Sequence, residues 1–215
     1  MPRLRQVPRA EAPPDVQQVY DMLFGGRDPV AEPGTATGTP GNWWTVFALV
    51  PDVFRHCVAG FGFYRSKARK LDPRLRELGQ LRAGFLCESQ FVFSQHAKAA
   101  RDVGVSEEKI ASVPAWTTSE LFAPEERAVL AYTDELVLQL GRVQDATFAA
   151  LKAHLSDEEI LELTYVTGLC FMHAVMTRAL KLEYDDVPER IREVPAPSGG
   201  KRTADFMGGV GRSGS

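Results

Sequence analysis

Cysteine is scarce in this chain. Of 215 residues only Cys57, Cys87 and Cys170 carry a thiol, and they are widely separated and odd in number. That excludes a disulfide framework, and free thiols in a reducing cytoplasm are the expected state. No C-x-x-C and no paired Cys/His ligand spacing occurs, so no structural zinc, and no metal of any kind, is expected. Apolar runs of 18 or more residues are missing, and the N-terminal M-P-R-L-R-Q-V-P-R-A-E-A-P-P lacks the apolar core of a signal peptide. The expectation is a cytoplasmic protein with no membrane span. One-sided charge is lacking too: the formal net charge is -3 and Lys and Arg are interspersed with Asp and Glu. Such a surface has no footprint for nucleic acid.

Period-two alternation is also absent, and what remains reads as helices throughout. Residues 1–14 form an extended, proline-rich arm. Val16, Val19, Tyr20 and Leu23 then fall on one face of a helix spanning Pro14 to Phe24. The Gly/Pro/Thr-rich stretch 25–42 is a long loop, of the kind that is either mobile or functional. Helices are expected from Trp43 to Pro51, from Pro51 to about Ala68, and from Pro73 to about Leu86 behind an Asp72 cap. Ser89 and Ser106 cap the next two, and Pro124 to about Leu140, 144–154 and 156–182 complete the set. The segment from Ile160 to Leu180 is apolar nearly all round, which suits a core or an oligomer interface. The tail 194–215 has a linker composition. The fold class is therefore all-α, a single-domain helical bundle over 15–193.

One stretch stands apart chemically. C-E-S-Q-F-V-F-S-Q-H, Cys87 to His96, gathers a thiol, a carboxylate, hydroxyls and an imidazole. Ser89, Val92, Phe93 and His96 share one helix face. Glu77 lies 19 residues before His96, roughly 28 Å away in an unbroken helix at about 1.5 Å per residue. A turn at Gly84–Glu88 would fold the two helices antiparallel and let carboxylate and imidazole converge.

D-P-R-L-R-E-L-x-x-L-R, the Cys/Glu-bearing turn, Q-H, and A-x-x-x-G-V-S-E-E-K-I fall in an order that resembles the carboxymuconolactone decarboxylase family, which includes the alkylhydroperoxidase-like proteins. The resemblance runs from about Ala12 to Leu182 and is strongest over 71–113. It implies a fold of antiparallel helical hairpins, assembly into dimers, trimers or hexamers, and a small-molecule substrate. The alkylhydroperoxidase-like branch carries C-x-x-C-x-x-x-H with a glutamate one helix earlier. Its cysteine positions fall here on Ser89 and Val92, so both thiols are gone, while Glu77 and His96 remain.

The implied chemistry is acid–base and needs no cofactor: a lyase or isomerase acting on a small carboxylated lactone or aromatic-derived compound. His96 would be the general acid/base and Glu77 its partner. Arg82 would seat a carboxylate, and Ser89, Val92, Phe93, Trp43 and Trp44 would line the substrate. Each has a plainer alternative. His96 could be a core histidine, Glu77 a first-turn helix carboxylate, Arg82 a salt-bridge partner and Ser89 an N-cap; the Trp pair could simply pack. Trp116 follows a loop, and His173 sits in the most apolar helix as a core or interface residue. Cys87 is either an inert thiol or the lone thiol of a peroxidase, the second functional reading. A non-catalytic oligomer that binds a ligand or partner is the third.

Overall fold

The structure, a computed structural model, describes residues 1–64, 66, 68–187 and 191–197. Among them every regular element is helical: α1 (Pro14–Phe24), α2 (Asn42–Phe47), α3 (Pro51–Tyr64), α4 (Pro73–Leu86), α5 (Gln90–Asp102), α6 (Glu107–Ser112), α7 (Pro124–Leu138), α8 (Asp145–Lys152) and α9 (Asp157–Leu180). Short 3-10 turns lie at Arg9–Glu11 and Val113–Thr118. The expected caps are in place: Asp72, Ser89 and Ser106 accept from the backbone N–H groups of Arg74, Val92 and Lys109. The expected tail from 194 is described only to Pro197; its remainder lies outside the described residues.

The chain divides into two compact units. Of the described residues, the first comprises 1–64, 66, 176–187 and 195–197. Its N-terminal arm, expected as merely extended, is fastened down. Arg3 N–H donates to the Leu180 carbonyl and Val7 N–H to that of Thr45, each at 2.9 Å. Tyr20 Oη donates to the Val7 carbonyl at 3.0 Å. The loop before α2 is bonded within itself. Thr35 Oγ1 meets the hydroxyls of Thr39 and Thr37 at 2.8 and 3.2 Å, and all three threonines are buried. Glu183 caps α2: its carboxylate accepts from Trp43 N–H at 2.7 Å and Gly41 N–H at 2.9 Å. Four N–H groups at a helix start lack intrahelical partners, so this buried carboxylate answers an obligatory need.

The second unit, 68–175 with 191–194 among the described residues, is the helical-hairpin body. α4 lies along α5 and α7. Leu78 and Leu81 of α4 meet Phe93, Ala97 and Ala100 of α5 and Leu130 of α7 in one core cluster. Each leucine side chain taken wholly out of water contributes about 1.5–3 kcal/mol. Two features set the hairpin. Gly84 lets the backbone of α5 pass so close that a Cβ there would stand 2.7 Å from Phe93 N. The turn itself is a Schellman motif, with Ser89 N–H on the Gly84 carbonyl, Glu88 N–H on that of Phe85, and Glu88 at φ 52.

α9 is long and apolar enough to cross a membrane by length and composition alone, which the absence of an 18-residue apolar run did not foretell. In the second unit its inner face is helix packing. Ile160 and Leu163 join Val129, Tyr132 and Leu151, and Cys170 and Ala174 join Ala83, Val92 and Val137.

Candidate active site

The α4–α5 hairpin delivers Glu77 and His96 to one point. The carboxylate is wholly buried, and its Oε2 lies 2.8 Å from His96 Nδ1. Arg76, next in sequence to Glu77, turns its guanidinium back onto Oε1, with Nε at 2.9 Å and Nη2 at 2.8 Å. A carboxylate held by an arginine stays ionised and accepts Nδ1–H, which fixes the ring's orientation and leaves Nε2 to face the other way.

What Nε2 faces is the sulfur of Cys170, at 3.0 Å, from α9. Glu77, His96 and Cys170 thus form a continuous carboxylate–imidazole–thiol relay inside the second unit. Burial by itself would lower the basicity of the imidazole. The Cys170 sulfur and the Glu77 carboxylate on its two nitrogens outweigh that and raise His96 above the usual imidazole range. His173, one turn beyond Cys170, is affected oppositely. Burial, and then the charge on His96, push its pKa down to about 4, so it stays neutral.

Other candidates from the sequence are placed as follows. Arg82 forms a salt bridge, with Asp134 rather than Glu77. Its Nε and Nη2 lie 2.6 and 3.1 Å from the two carboxylate oxygens, while Nη1 donates to the Val113 and Pro114 carbonyls. Trp116 Nε1 donates to the same Asp134 at 3.0 Å, so these residues tie the 113–118 turn to α7. Ser89 is the N-cap of α5. Val92 lies in the cluster that holds Cys170, and Phe93 in the larger core. Trp43 and Trp44 belong to the aromatic core of the first unit, where Trp43 stacks on Phe47 at 4.1 Å and both indoles meet Phe54 and Phe61. Among the described residues no cluster of three or more His, Cys, Asp or Glu has the arrangement of a metal site.

Sequence reasoning missed two members of the site. Arg76 stood in plain view beside Glu77 in R-L-R-E-L. Cys170 was counted only among the free thiols, although C-F-M-H put a thiol and an imidazole one helical turn apart.

A helical hairpin presenting a buried Glu–His pair defines a class of all-α proteins, and comparison identifies which. Residues 51–135 match the model of the carboxymuconolactone decarboxylase family. This segment contains Glu77 and His96 and ends before Cys170. A solved protein of unknown function from Agrobacterium tumefaciens, likened to the antioxidant defence protein AhpD, is 27% identical, with a TM-score of 0.58 over 63% of this chain and 92% of that one. The alkylhydroperoxidase AhpD core of a peroxidase-related protein from Ralstonia eutropha matches at TM-score 0.68 and 19% identity, covering 86% and 93% of the two chains. The debrominase Bmp8, solved as a cysteine-to-alanine variant with 2,3,4-tribromopyrrole, matches at 0.65 and 16% identity, covering 96% and 100%. The uncharacterized protein YdfG of Bacillus subtilis is 26% identical over 102 residues, 47% of this chain and 69% of that protein. A carboxymuconolactone decarboxylase family segment thus occupies residues 51–135, and the fold is similar to that of AhpD-like proteins, here without the C-x-x-C pair.

Proposed function

We propose that this protein is a cofactor-independent lyase or isomerase, acting by acid–base catalysis on a small carboxylated lactone or aromatic-derived compound. The observation that carries the reading is the 2.8 Å contact between a wholly buried Glu77 and His96 Nδ1. A buried carboxylate braced by Arg76 stabilises the imidazolium, so His96 can take a proton from a carbon acid and return it to the resulting enolate. His96 is the general acid/base and Glu77 the positioning residue. Because the Arg82 guanidinium is occupied by Asp134, substrate orientation falls to other groups around the relay.

The test is turnover of a panel of lactones, muconate-like acids and hydroxylated aromatics by wild type and His96→Ala. Loss of about 10²–10⁴-fold in rate with the helical signal intact is expected, the usual worth of a general acid/base. Undiminished turnover in the variant sinks the reading.

The working form is proposed to be a homo-oligomer. Leu161, Tyr165, Met172 and Val175, 70%, 49%, 38% and 49% exposed, follow one face of α9 at helical spacing. Light scattering on wild type and Leu161→Glu decides it: a smaller particle in the variant is expected, and a monomeric wild type refutes it.

A further inference from the structure

We propose that Cys170 is a nucleophile, which forms a thiolate–imidazolium pair with His96 and adds reversibly to the activated carbon–carbon double bond of a small enone or enoate. The inference deepens the reading above and rests on its assignment of Glu77 and His96 as the live pair. Three observations carry it. Cys170 Sγ lies 3.0 Å from His96 Nε2, and the ring is oriented by Glu77 Oε2 on the opposite nitrogen at 2.8 Å. This order of carboxylate, imidazole and thiol is what nucleophile activation requires. The surroundings are nearly dry, with Cys170 5% exposed and the His96 side chain 15% exposed. A thiolate that has lost its hydration is the stronger for it, and the exposed part of His96 is where a small reactant would enter.

The third observation is a pair of oxygens without hydrogen-bond partners. Thr167 Oγ1, fully buried and one turn before Cys170 on α9, and Gln80 Oε1, 97% buried by its 3% exposure, both lack one. Both residues belong with the same stretch of α4 as the sulfur. Cys170 Sγ is 4.0 Å from the Gln80 carbonyl, and a Cβ on Gly79 would stand 3.4 Å from Thr167 Oγ1. A buried polar atom left unpaired costs about 1–3 kcal/mol, and a bound carbonyl or hydroxyl would relieve it. Thr167 can donate to a carbonyl oxygen, and Gln80 Oε1 can accept from a hydroxyl.

The step is balanced within the protein and its substrate. The Cys170 proton passes to His96 Nε2. The sulfur's electron pair forms a bond to the β-carbon, and the alkene π pair moves onto the carbonyl as an enolate. Rotation about the former double bond and expulsion of the thiolate return the alkene as its geometric isomer, and the proton returns from His96 to sulfur. Nothing is oxidised or reduced. A peroxide would instead take the thiolate to a sulfenic acid, which needs an external thiol to restore it.

The test uses the full chain in a Cys57→Ser/Cys87→Ser background, with acrylamide as the alkene probe and mass spectrometry as readout. The groups that set the pH profile around His96 are Glu77 and Arg76 of α4 and Cys170 and His173 of α9. Cys170 is expected to label at pH 6 at least ten-fold faster than a free cysteine peptide. His96→Ala and, as a second variant that keeps the side-chain volume, Glu77→Gln should each slow labelling at least ten-fold and shift its pH midpoint upward. Maleate should then isomerise to fumarate in the same background and not in Cys170→Ser. Native Cys170 that labels only after denaturation, or at a rate indifferent to both variants, overturns the inference. If thiol-dependent consumption of hydrogen peroxide is found in place of alkene addition, the substrate class is overturned. Turnover of the lactone and aromatic panel that needs His96 but survives Cys170→Ser sinks this inference alone; turnover that survives His96→Ala sinks the acid–base reading as well.

Discussion

Glu77 in the second unit and Glu183 in the first are both shut away from solvent, 0% and 7% exposed, yet they answer different donors. Glu183 receives the backbone N–H groups of Trp43 and Gly41, while its own N–H donates to Asn42 Oδ1 at 2.7 Å. An amide proton is not given up at neutral pH, so no proton passes between this carboxyl and its backbone donors, and its contacts fasten α2 in place. Glu77 receives a guanidinium on one oxygen and an imidazole on the other, and an imidazole, unlike an amide, can gain and give up a proton. Burial of a charge therefore says little about function by itself. The chemistry of the group that satisfies the charge separates a fastener from a working part.

That contrast can be broken most sharply by exchanging charge for shape. Glu77→Gln preserves volume and an oxygen for Nδ1–H but removes the charge that supports imidazolium, so turnover should drop on the order of 10²–10⁴-fold. Steady-state rates on any substrate found for the wild type check this; a variant within a few-fold of wild type would place Glu77 with Glu183 among the fasteners.

A smaller effect comes from the relay's neighbour. The folded-state pKa of His173 is lowered to about 4 from 6.5 by burial and by the charge of His96. Its neutral form is the one the fold accepts. The stability it protects is complete above pH 6.5 and is lost as pH falls toward 4, roughly 3 kcal/mol in all at about 1.4 kcal/mol per pK unit. Thermal melts from pH 7 to 4 should show this acid-side decline, and His173→Gln should flatten it. An unchanged pH profile in the variant would remove His173 from the account.

The smallest effect sharpens the comparison from the other side. Glu183→Ala strands two buried N–H groups at the start of α2 and should cost about 2 kcal/mol of stability, with kcat unchanged at a temperature where both forms are folded. A drop in kcat parallel to that of Glu77→Gln would erase the distinction between the two carboxylates.

Much of this was legible in the sequence because it is local. Asp72–Pro73, Ser89 and Ser106 mark helix starts by their own side-chain chemistry, and α4 begins and ends at the expected residues. The convergence of Glu77 and His96 followed once a turn was placed between them. The residues that were not legible are joined across the fold. Cys170 meets His96 from 74 positions away, and Asp134 meets Arg82 from 52. No periodicity or cap encodes such a pairing, because it depends on how α9 and α7 are laid against the hairpin. The redox motif points to Ser89 and Val92, where both thiols are absent, and it carries no information about the thiol that reaches the same imidazole from another helix.

Gly84 gives the hairpin a ruler. With a Cβ there 2.7 Å from Phe93 N and 3.0 Å from Phe93 Cα, the spacing of α4 and α5 is set by a carbon atom that is absent. Phe93 is one turn before His96 on α5, so widening that gap carries the imidazole away from Glu77 without altering any residue that handles a proton. The tolerance of the Glu77–His96 pair is thus written at a third position, in a residue whose whole contribution is to take up no room.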